Sequence, residues 1–295
     1  MNETISSNQN QKKRQGSSPF MLTFRRLCHN RVAVIGMIIT ILLILMAIFA
    51  DYLMPYPYDK ADFMATFAKP SRAHPFGTDD LGRDILSRLI YGSRYSLQIG
   101  IFSVAGAMVG GILLGSIAGY FGGWLDNLVM RCLDVFQAIP GMVLSIAVSA
   151  VLGPGFGNCI LALTISMIPS FSRMMRASIL NVRKMEYLEA ATSINCSSFR
   201  IIWRHVIPNA LSPLIVQATM SVASAILIAA GLSFIGLGVQ PPDPEWGAML
   251  SAGRSYIRDY PHLVLFPGIT IMIAVLSLNM FGDGLRDALD PKLKD

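Results

Sequence analysis

The sequence predicts an all-α integral membrane protein with six transmembrane helices and both termini in the cytoplasm. Three observations lead to this prediction: the composition, five long runs without charge, and the distribution of Lys and Arg between those runs. Of the 295 residues, 53% are hydrophobic and 14% are charged, whereas a soluble domain carries about 25% charged residues. The polar residues are therefore too few to cover a soluble globule of this size.

The candidate spans are runs that contain no Asp, Glu, Lys or Arg. A helix needs about 20 apolar residues to cross the hydrocarbon core, so the two longest runs are long enough for more than one crossing. The five runs are residues 32–50, 95–125, 135–172, 205–242 and 260–282.

The two longest runs differ in their internal breaks. The third run contains Gly-Pro-Gly-Phe-Gly at 153–157, a strong turn signal that predicts two helices, at about 135–152 and 158–176. The fourth run has no break of that strength and predicts one long or tilted helix at about 209–236. The total is six spans.

Lys and Arg set the orientation. With the N-terminus inside, the cytoplasmic segments hold 16 of these residues and the outer segments hold 8, which agrees with the positive-inside rule. The predicted organisation is a cytoplasmic tail, a first transmembrane helix, an extracytoplasmic loop, a transmembrane domain and a second cytoplasmic tail, at residues 1–31, 32–54, 55–94, 95–283 and 284–295.

Two alternative interpretations concern the basic residues. Lys12, Lys13 and Arg14 could begin a cleavable signal peptide, but the apolar run that follows is longer than the usual 7–15 residues of such a signal. The pI near 9.3 could indicate nucleic-acid binding. Because the basic residues are mostly next to the spans, contact with anionic lipid headgroups is the better explanation, and no nucleic-acid partner is expected.

Several catalytic and binding motifs are absent from the sequence. It contains no Gly-Lys-Ser/Thr of a P-loop, no His-Glu-x-x-His and no Cys-x-x-Cys, so we expect no catalytic residues, cofactor, metal site or disulfide. No acid, Lys or Arg lies in mid-span, where a proton-coupled carrier usually places one. If the protein moves a solute, its energy is expected to come from another subunit.

The most informative segment is the predicted cytoplasmic loop 177–208. Good helix formers at 185–194 predict a short helix on the membrane surface. Small residues keep this helix thin enough for another protein to approach closely, and Glu189 offers a charged acceptor to a basic partner. The alternative is an ordinary solvated surface helix.

This loop resembles the EAA loop of ABC-importer membrane subunits, written Glu-Ala-Ala-x3-Gly-x9-Ile-x-Leu-Pro. Asn195 stands where that family usually has Gly, and Asn tolerates the left-handed conformation better than most residues. In the family, the EAA helix is a coupling helix that docks on the ATP-hydrolysing subunit. The residues that match the pattern in place are Glu189, Ala190, Ala191 and Pro208.

Four further segments resemble the C-type permease subunit of dipeptide and oligopeptide importers. They are the region around the first span, from residue 24 to 50, the outer segments 74–84 and 232–247, and the tail segment 282–291. Together these segments cover the chain from about residue 20 to its end. Nickel and glutathione importers are built alike, so the resemblance is less specific for the solute.

The resemblance implies a type I ABC-importer permease fold, a multi-pass location in the bacterial inner or plasma membrane, and import of di- or oligopeptides. It also implies a homologous permease partner in a heterodimer, two ABC ATPase subunits, an extracytoplasmic solute-binding protein and surrounding membrane lipids. The ATPase-coupling residues would be Glu189, Ala190, Ala191, Asn195 and Pro208. Import of nickel chelates or glutathione by the same architecture is the alternative.

Residues for the solute path are suggested by position alone. Gln217, Ser221 and Ser224 fall at i, i+4 and i+7 in the fifth span and so lie on one helix face. They could make weak, replaceable hydrogen bonds to a passing peptide. The alternative is helix–helix hydrogen bonding, which such residues also provide in membranes.

Local patterns lead to four structural expectations. Gly111, Gly115 and Gly119 predict a stripe for close helix packing. Pro140 predicts a kink in the third span. Thr78 is expected to cap a helix at 81–91 on the outer surface, and Arg131 is expected to pair with Asp134, three residues away in sequence.

Two other classes of protein are disfavoured by the sequence. A self-contained secondary carrier or channel would show intramembrane charges or inverted repeats, and an intramembrane enzyme would show paired carboxylates or a Ser/His arrangement within the spans. The sequence has none of these features.

Overall fold

The computed structural model describes residues 19–188 and 196–289, and it describes the side chains from residue 24 onward. Within these ranges the chain is helical and contains no β-sheet, apart from one isolated bridge between Thr78 and Asp84. The predicted all-α class is therefore confirmed.

The described residues of the N-terminal half form six α-helices. An amphipathic helix precedes the first long apolar helix, and Asn30 caps the latter by accepting hydrogen bonds from the backbone N–H groups of Val32 and Ala33. The helices are α1 (Pro19–His29), α2 (Arg31–Ile48), α3 (Ala50–Leu53), α4 (Ile85–Phe121), α5 (Gly123–Ala138) and α6 (Gly141–Leu152).

The described residues of the C-terminal half form three long α-helices and two short ones. A π-helical turn at Ile202–Val206 joins α8 to α9 without a gap, so that Ser198–Phe234 forms one continuous helical rod. The helices are α7 (Phe156–Val182), α8 (Ser198–Ile201), α9 (Ile207–Phe234), α10 (Trp246–Gly253) and α11 (His262–Leu289).

Four helical segments in the described part of the chain are long and apolar enough to cross a membrane. They are α2, α4, the continuous rod Ser198–Phe234, and α11. A fifth crossing results if α5 and α6, which meet at 89°, form one bent span. The sixth predicted span lies in α7, which carries Arg173 and Arg176 in its second half. The count of six and the side on which the termini lie remain predictions.

Two names locate features along the bundle. We call the end that carries residues 183–188, residues 196–206 and the C-terminal end of α11 the coupling end. The opposite end, which carries residues 55–84 and 235–261, is the outer end.

The helix pair α4 and α7 forms the most extensive contact in the bundle. It confirms the glycine stripe as a packing device. A Cβ atom at Gly111 would lie 2.4 Å from Cβ of Phe171, and one at Gly115 would lie 2.5 Å from the carbonyl oxygen of Ser172. The absent side chains let the two backbones approach.

The helix pair α2 and α11 packs by the same means. A Cβ atom at Gly36 would lie 2.7 Å from Cβ of Met280, and one at Gly284 would lie 2.1 Å from Cβ of Ala33. The absent side chains of Gly36 and Gly284 thus allow α2 and α11 to pack closely.

Two sequence-based expectations about polar residues are wrong. The N-cap of α4 is Asp84, whose carboxylate accepts from the backbone N–H of Ser87 at 2.8 Å, while the Thr78 hydroxyl turns to the backbone of Ala65 and Ala68. As a consequence, residues 85–94 belong to the long helix α4, so no separate surface helix exists at 81–91.

The expected pair between Arg131 and Asp134 is also wrong. Asp134 binds Arg173 of α7 at 2.6 Å, and Asp126 of α5 forms two 2.6 Å hydrogen bonds with Arg176. Because α5 turns away at a right angle from α6, its acids face α7. The bend occurs at Ile139 and Pro140, where a kink was predicted.

Loops at the outer end are tied together by buried polar groups. Arg88 donates to the carbonyl of Tyr58 and lies 3.5 Å from the carboxylate of Asp79. Trp246, fully buried, donates through Nε1 to the carbonyl of Leu89, and Glu245 accepts from Ser96 and caps α10. Tyr58 lies in the loop before α4. Burial is the largest cause that raises the pKa of its phenol, and the electrostatic effect of the stacked Tyr91 raises it further.

Candidate functional site

One of the five predicted coupling residues, Pro208, is among the residues that the structure describes. Glu189, Ala190, Ala191 and Asn195 fall outside the described residues. Pro208 is described and lies exposed in the first turn of α9. The structure therefore describes the two flanks of the predicted coupling segment: the residues up to Leu188 and the residues from Cys196 onward.

Both flanks enter one apolar cluster, which we call the coupling-end cluster. Leu188, directly before Glu189, is 6% exposed, and Ile201 and Val206 on the other flank are 2% and 0% exposed. Burial of this extent fixes side chains to their neighbours. The cluster comprises Met175, Ile179, Val182, Leu188, Ile201, Val206, Ile207, Ala210 and Leu214.

The π-helical turn has a local cause. Pro208 has no N–H to donate to the preceding turn, and its ring excludes the regular α-helical ladder there. The N–H of Ile207 instead reaches back five residues to the carbonyl of Ile202. The side chain of Asn209 donates to the carbonyl of His205 at 2.7 Å, which restores a bond at this irregular point.

A cleft of about 600 Å³ opens near the coupling end between α7, α9 and α11. Its volume lies in the range of small-ligand sites, about 300–1,000 Å³. The lining mixes amide, hydroxyl and guanidinium groups with flexible methionines. It consists of Met174, Asn209, Ser212, Pro213, Val216, Gln217, Met220, Arg286 and Leu289.

The structure separates the three predicted path residues. Gln217 lines the cleft and donates to the hydroxyl of Ser221 at 3.3 Å. Ser221 is buried behind it, and Ser224 is exposed on the bundle surface beyond the cleft lining. Of the three, Gln217 alone is among the lining residues, and Ser221 contacts the site through it.

Sequence reasoning missed the other side of the cleft. Arg286 lines it from α11, and this residue lies in the tail segment 282–291 that the sequence singled out as a motif without a role. Met174 of α7 and Met220 of α9 complete the walls. Nothing in their local sequence marks these methionines, because only the packing of three distant helices brings them together.

Long apolar helices, an apolar cluster that buries both flanks of the segment 189–195, and a solute-sized cleft are features of a polytopic membrane transport protein. The sequence profile described as binding-protein-dependent transport system inner membrane component matches residues 111–295. The profile of the N-terminal TM domain of oligopeptide transport permease C matches residues 18–70. The chain belongs to the family of binding-protein-dependent transport system inner membrane components, and it is a multi-pass protein of the bacterial inner membrane.

Curated relatives match over most of their length. The chain is 48% identical to the dipeptide transport system permease protein DppC of Alkalihalophilus pseudofirmus, over 94% of this chain and 91% of the relative. It is 45% identical to the glutathione transport system permease protein GsiD of Pectobacterium atrosepticum, over 94% and 92%. It is 43% identical to a di/tripeptide transport system permease protein of Pseudomonas aeruginosa, over 94% of both chains.

Solved structures support the fold. An inward-facing MetNI methionine ABC transporter aligns with a TM-score of 0.55 and 19% identity, over 70% of this chain and 98% of that one. An amino acid ABC transporter aligns with a TM-score of 0.53 and 16% identity, over 67% and 92%. The fold is that of ABC-transporter permeases, whose transport systems include ATPase and solute-binding partners.

Proposed function

We propose that the chain is the permease subunit of an ATP-driven importer of di- or oligopeptides. The cleft lined by Gln217 carries this proposal, because it offers replaceable hydrogen bonds and flexible apolar walls to solutes that differ in side chain. Two of the relatives, 48% and 43% identical, are named as dipeptide and di/tripeptide permeases. In this proposal the chain has no ATPase site of its own.

In the proposed complex, this chain pairs with a homologous permease, and the two enclose the path between them. Two ATPase subunits bind at the coupling end, one of them through the loop around Glu189. A solute-binding protein delivers peptide at the outer end. The coupling-end cluster supports this arrangement, because it joins both flanks of the loop to α7 and α9, so that a displacement of the loop would move these helices with it.

Import of glutathione is the second candidate, because a 45% identical relative is named as a glutathione permease. Glutathione is itself a short peptide, so the same cleft chemistry would serve. Nickel chelates remain the third solute class to compare.

Competitive uptake in cells with and without this chain tests the proposal, with the native partners present. Labelled di- to pentapeptides, nickel chelates and glutathione are offered together. We expect deletion to abolish uptake of peptides and to leave nickel uptake unchanged. Loss of nickel or glutathione uptake with peptide uptake intact would retain the architecture and overturn the assignment of peptide as solute.

A second experiment concerns Gln217. The variant Gln217→Ala is expected to reduce transport while basal ATPase activity and assembly with partner subunits are retained, and Ser224→Ala, outside the cleft lining, is the matched control. Joint loss of transport, ATPase activity and assembly in Gln217→Ala would indicate a packing role instead.

A further inference from the structure

The tail segment 282–291 contains two glycines that determine where Arg286 lies. A Cβ atom at Gly282 would come within 2.9 Å of Cγ of Met220 in α9, and one at Gly284 would lie 2.1 Å from Cβ of Ala33 in α2. The end of α11 is therefore wedged between α9 and α2. Arg286, one turn beyond Gly282, then lines the cleft next to α9.

Arg286 differs from the four arginines within α4 and α7. Arg88, Arg94, Arg173 and Arg176 each lie beside an acidic side chain. Arg286 forms no ion pair with any described residue, although Asp283 and Asp287 are close in sequence. Both of these acids are exposed and are not among the lining residues of the cleft. Arg286 is exposed as well, so its guanidinium is a solvent-accessible cation on the wall of a solute-sized cleft, without a protein counter-ion among the described residues.

The chemistry around Arg286 suits a carboxylate. A guanidinium presents a planar pair of donors that matches the two oxygens of a carboxylate. Ser212 and Gln217 add a hydroxyl and an amide on the facing wall, and an amide can bind either a peptide carbonyl or a peptide N–H. No described lining residue is acidic, so nothing in the lining repels an anion.

We propose that this cleft is a binding site for the carboxylate of the transported solute, with Arg286 supplying the positive charge. The inference rests on the proposed import of short peptides and specifies the part of the peptide that is recognised. Dipeptides, longer peptides and glutathione share a free carboxylate, so the shared chemistry is the ligand. In this proposal, Met174 and Met220 of the cleft lining contact the side chains of the bound peptide.

Equilibrium binding to the purified complex tests the site directly. The complex of this chain with its permease and ATPase partners is placed in lipid nanodiscs without the solute-binding protein and without nucleotide. Labelled trialanine and trialanine amide, which differ in the carboxylate alone, are titrated by equilibrium dialysis. We expect the amide to bind at least about tenfold more weakly than the acid, the loss of one charge-assisted contact.

Variants assign that preference to the arginine. Arg286→Gln should bind both peptides as weakly as the wild type binds the amide, and Arg286→Lys should retain part of the preference. The matched control is Arg131→Gln, because Arg131 is exposed on α5 and is not among the residues that line the cleft. It should bind like the wild type. Gln217→Ala should weaken the binding of both peptides and leave the ratio of their dissociation constants unchanged.

Equal binding of trialanine and trialanine amide by the wild-type complex would overturn the proposal. This comparison uses the wild-type protein alone, so it does not depend on the folding of any variant. A preference that survives in Arg286→Gln would also overturn it. Peptide import in cells together with equal binding would refute the carboxylate site alone. A carboxylate preference for glutathione over its ethyl esters, without peptide import, would support the site and refute the proposed peptide solute.

Discussion

At the scale of single residues, Arg94 holds the first span to the core. Its guanidinium donates to the carbonyls of Ala47 and Ile48, at 2.7 and 3.1 Å, and forms two hydrogen bonds with Asp51. The carbonyls at the end of a helix have no partner within the helix, so an arginine from α4 completes the end of α2. One side chain thus serves as helix cap and inter-helix contact.

Replacement of Arg94 should therefore loosen α2. Arg94→Gln is expected to lower the free energy of unfolding by about 1.5–3 kcal/mol, the range for hydrogen bonds to a charged group. Asp51→Asn should cost less, because the two carbonyl contacts remain. Apparent melting temperatures of the purified complex measure both effects. Arg258→Gln, at an exposed outer arginine without an ion pair among the described residues, is the control; an equal loss there would contradict the interpretation.

At the scale of elements, the contact between α4 and α7 depends on missing side chains. The stripe of Gly111, Gly115 and Gly119 faces backbone and Cβ atoms of α7. Such close approach increases van der Waals contact, which drives helix association where lipid is as apolar as the protein. Substitution here should force the helices apart.

Gly115→Ala is expected to destabilise the protein by about 1–3 kcal/mol, the usual range for overpacking, because its Cβ would lie 2.5 Å from the carbonyl oxygen of Ser172. Gly110→Ala on the same helix is the matched control, since its Cβ would meet only side-chain atoms of Ile168 at 3.0 Å. Thermal unfolding in detergent compares the two variants. A larger loss for Gly110→Ala would show that the stripe is not the packing surface.

The helix α5 is joined to α7 mainly through charge. Leu133 is its single buried residue, and Asp126 pairs with Arg176 through two 2.6 Å hydrogen bonds. Asp126→Arg and Arg176→Asp should each destabilise the assembled complex, and the double exchange should restore about 0.5–3 kcal/mol, the usual coupling between paired residues. A double-mutant cycle measured by thermal unfolding gives this value. Additive losses in the double variant would argue that each residue acts alone.

At the scale of the whole molecule, the coupling-end cluster connects the flanks of the predicted coupling loop to the two helices that also line the cleft. It packs the flanks of the segment around Glu189 against α7 and α9, and the cleft begins on the same two helices. Since packed cores move as units and do not deform continuously, a displacement at the loop is expected to alter the cleft. This is the physical basis on which an ATPase at one end could open a path through the bundle.

Charge reversal in the loop tests this arrangement. Glu189→Lys is expected to weaken co-purification of the ATPase subunits and to reduce transport, while insertion into the membrane is retained, because it places a cation where a basic partner is expected. Glu186→Lys makes the same charge change at an exposed position three residues earlier and is the control. Normal co-purification and transport by Glu189→Lys would remove the proposed role of that residue.

Several features were predictable from local sequence because their causes are local. The apolar runs that became α2, α4, α9 and α11 need only their own composition to be recognised, and Pro140 marks the break at the start of α6 by its own geometry. The polar partners were not predictable in this way. Asp134 pairs with Arg173 and not with Arg131, and Asp84 rather than Thr78 caps α4. Backbone direction and neighbouring elements decide which polar partner each side chain can reach.

The all-helical membrane class, the glycine stripe and the family were predictable because they depend on hydrophobicity, small-residue spacing and motif order within one continuous chain. In contrast, the packed helices were needed to show that Gln217 lines a cleft while Ser224 does not, and that Arg286 of α11 lines the same cleft. A helical period assigns residues to a face of one helix, whereas a cleft exists only where separate helices diverge.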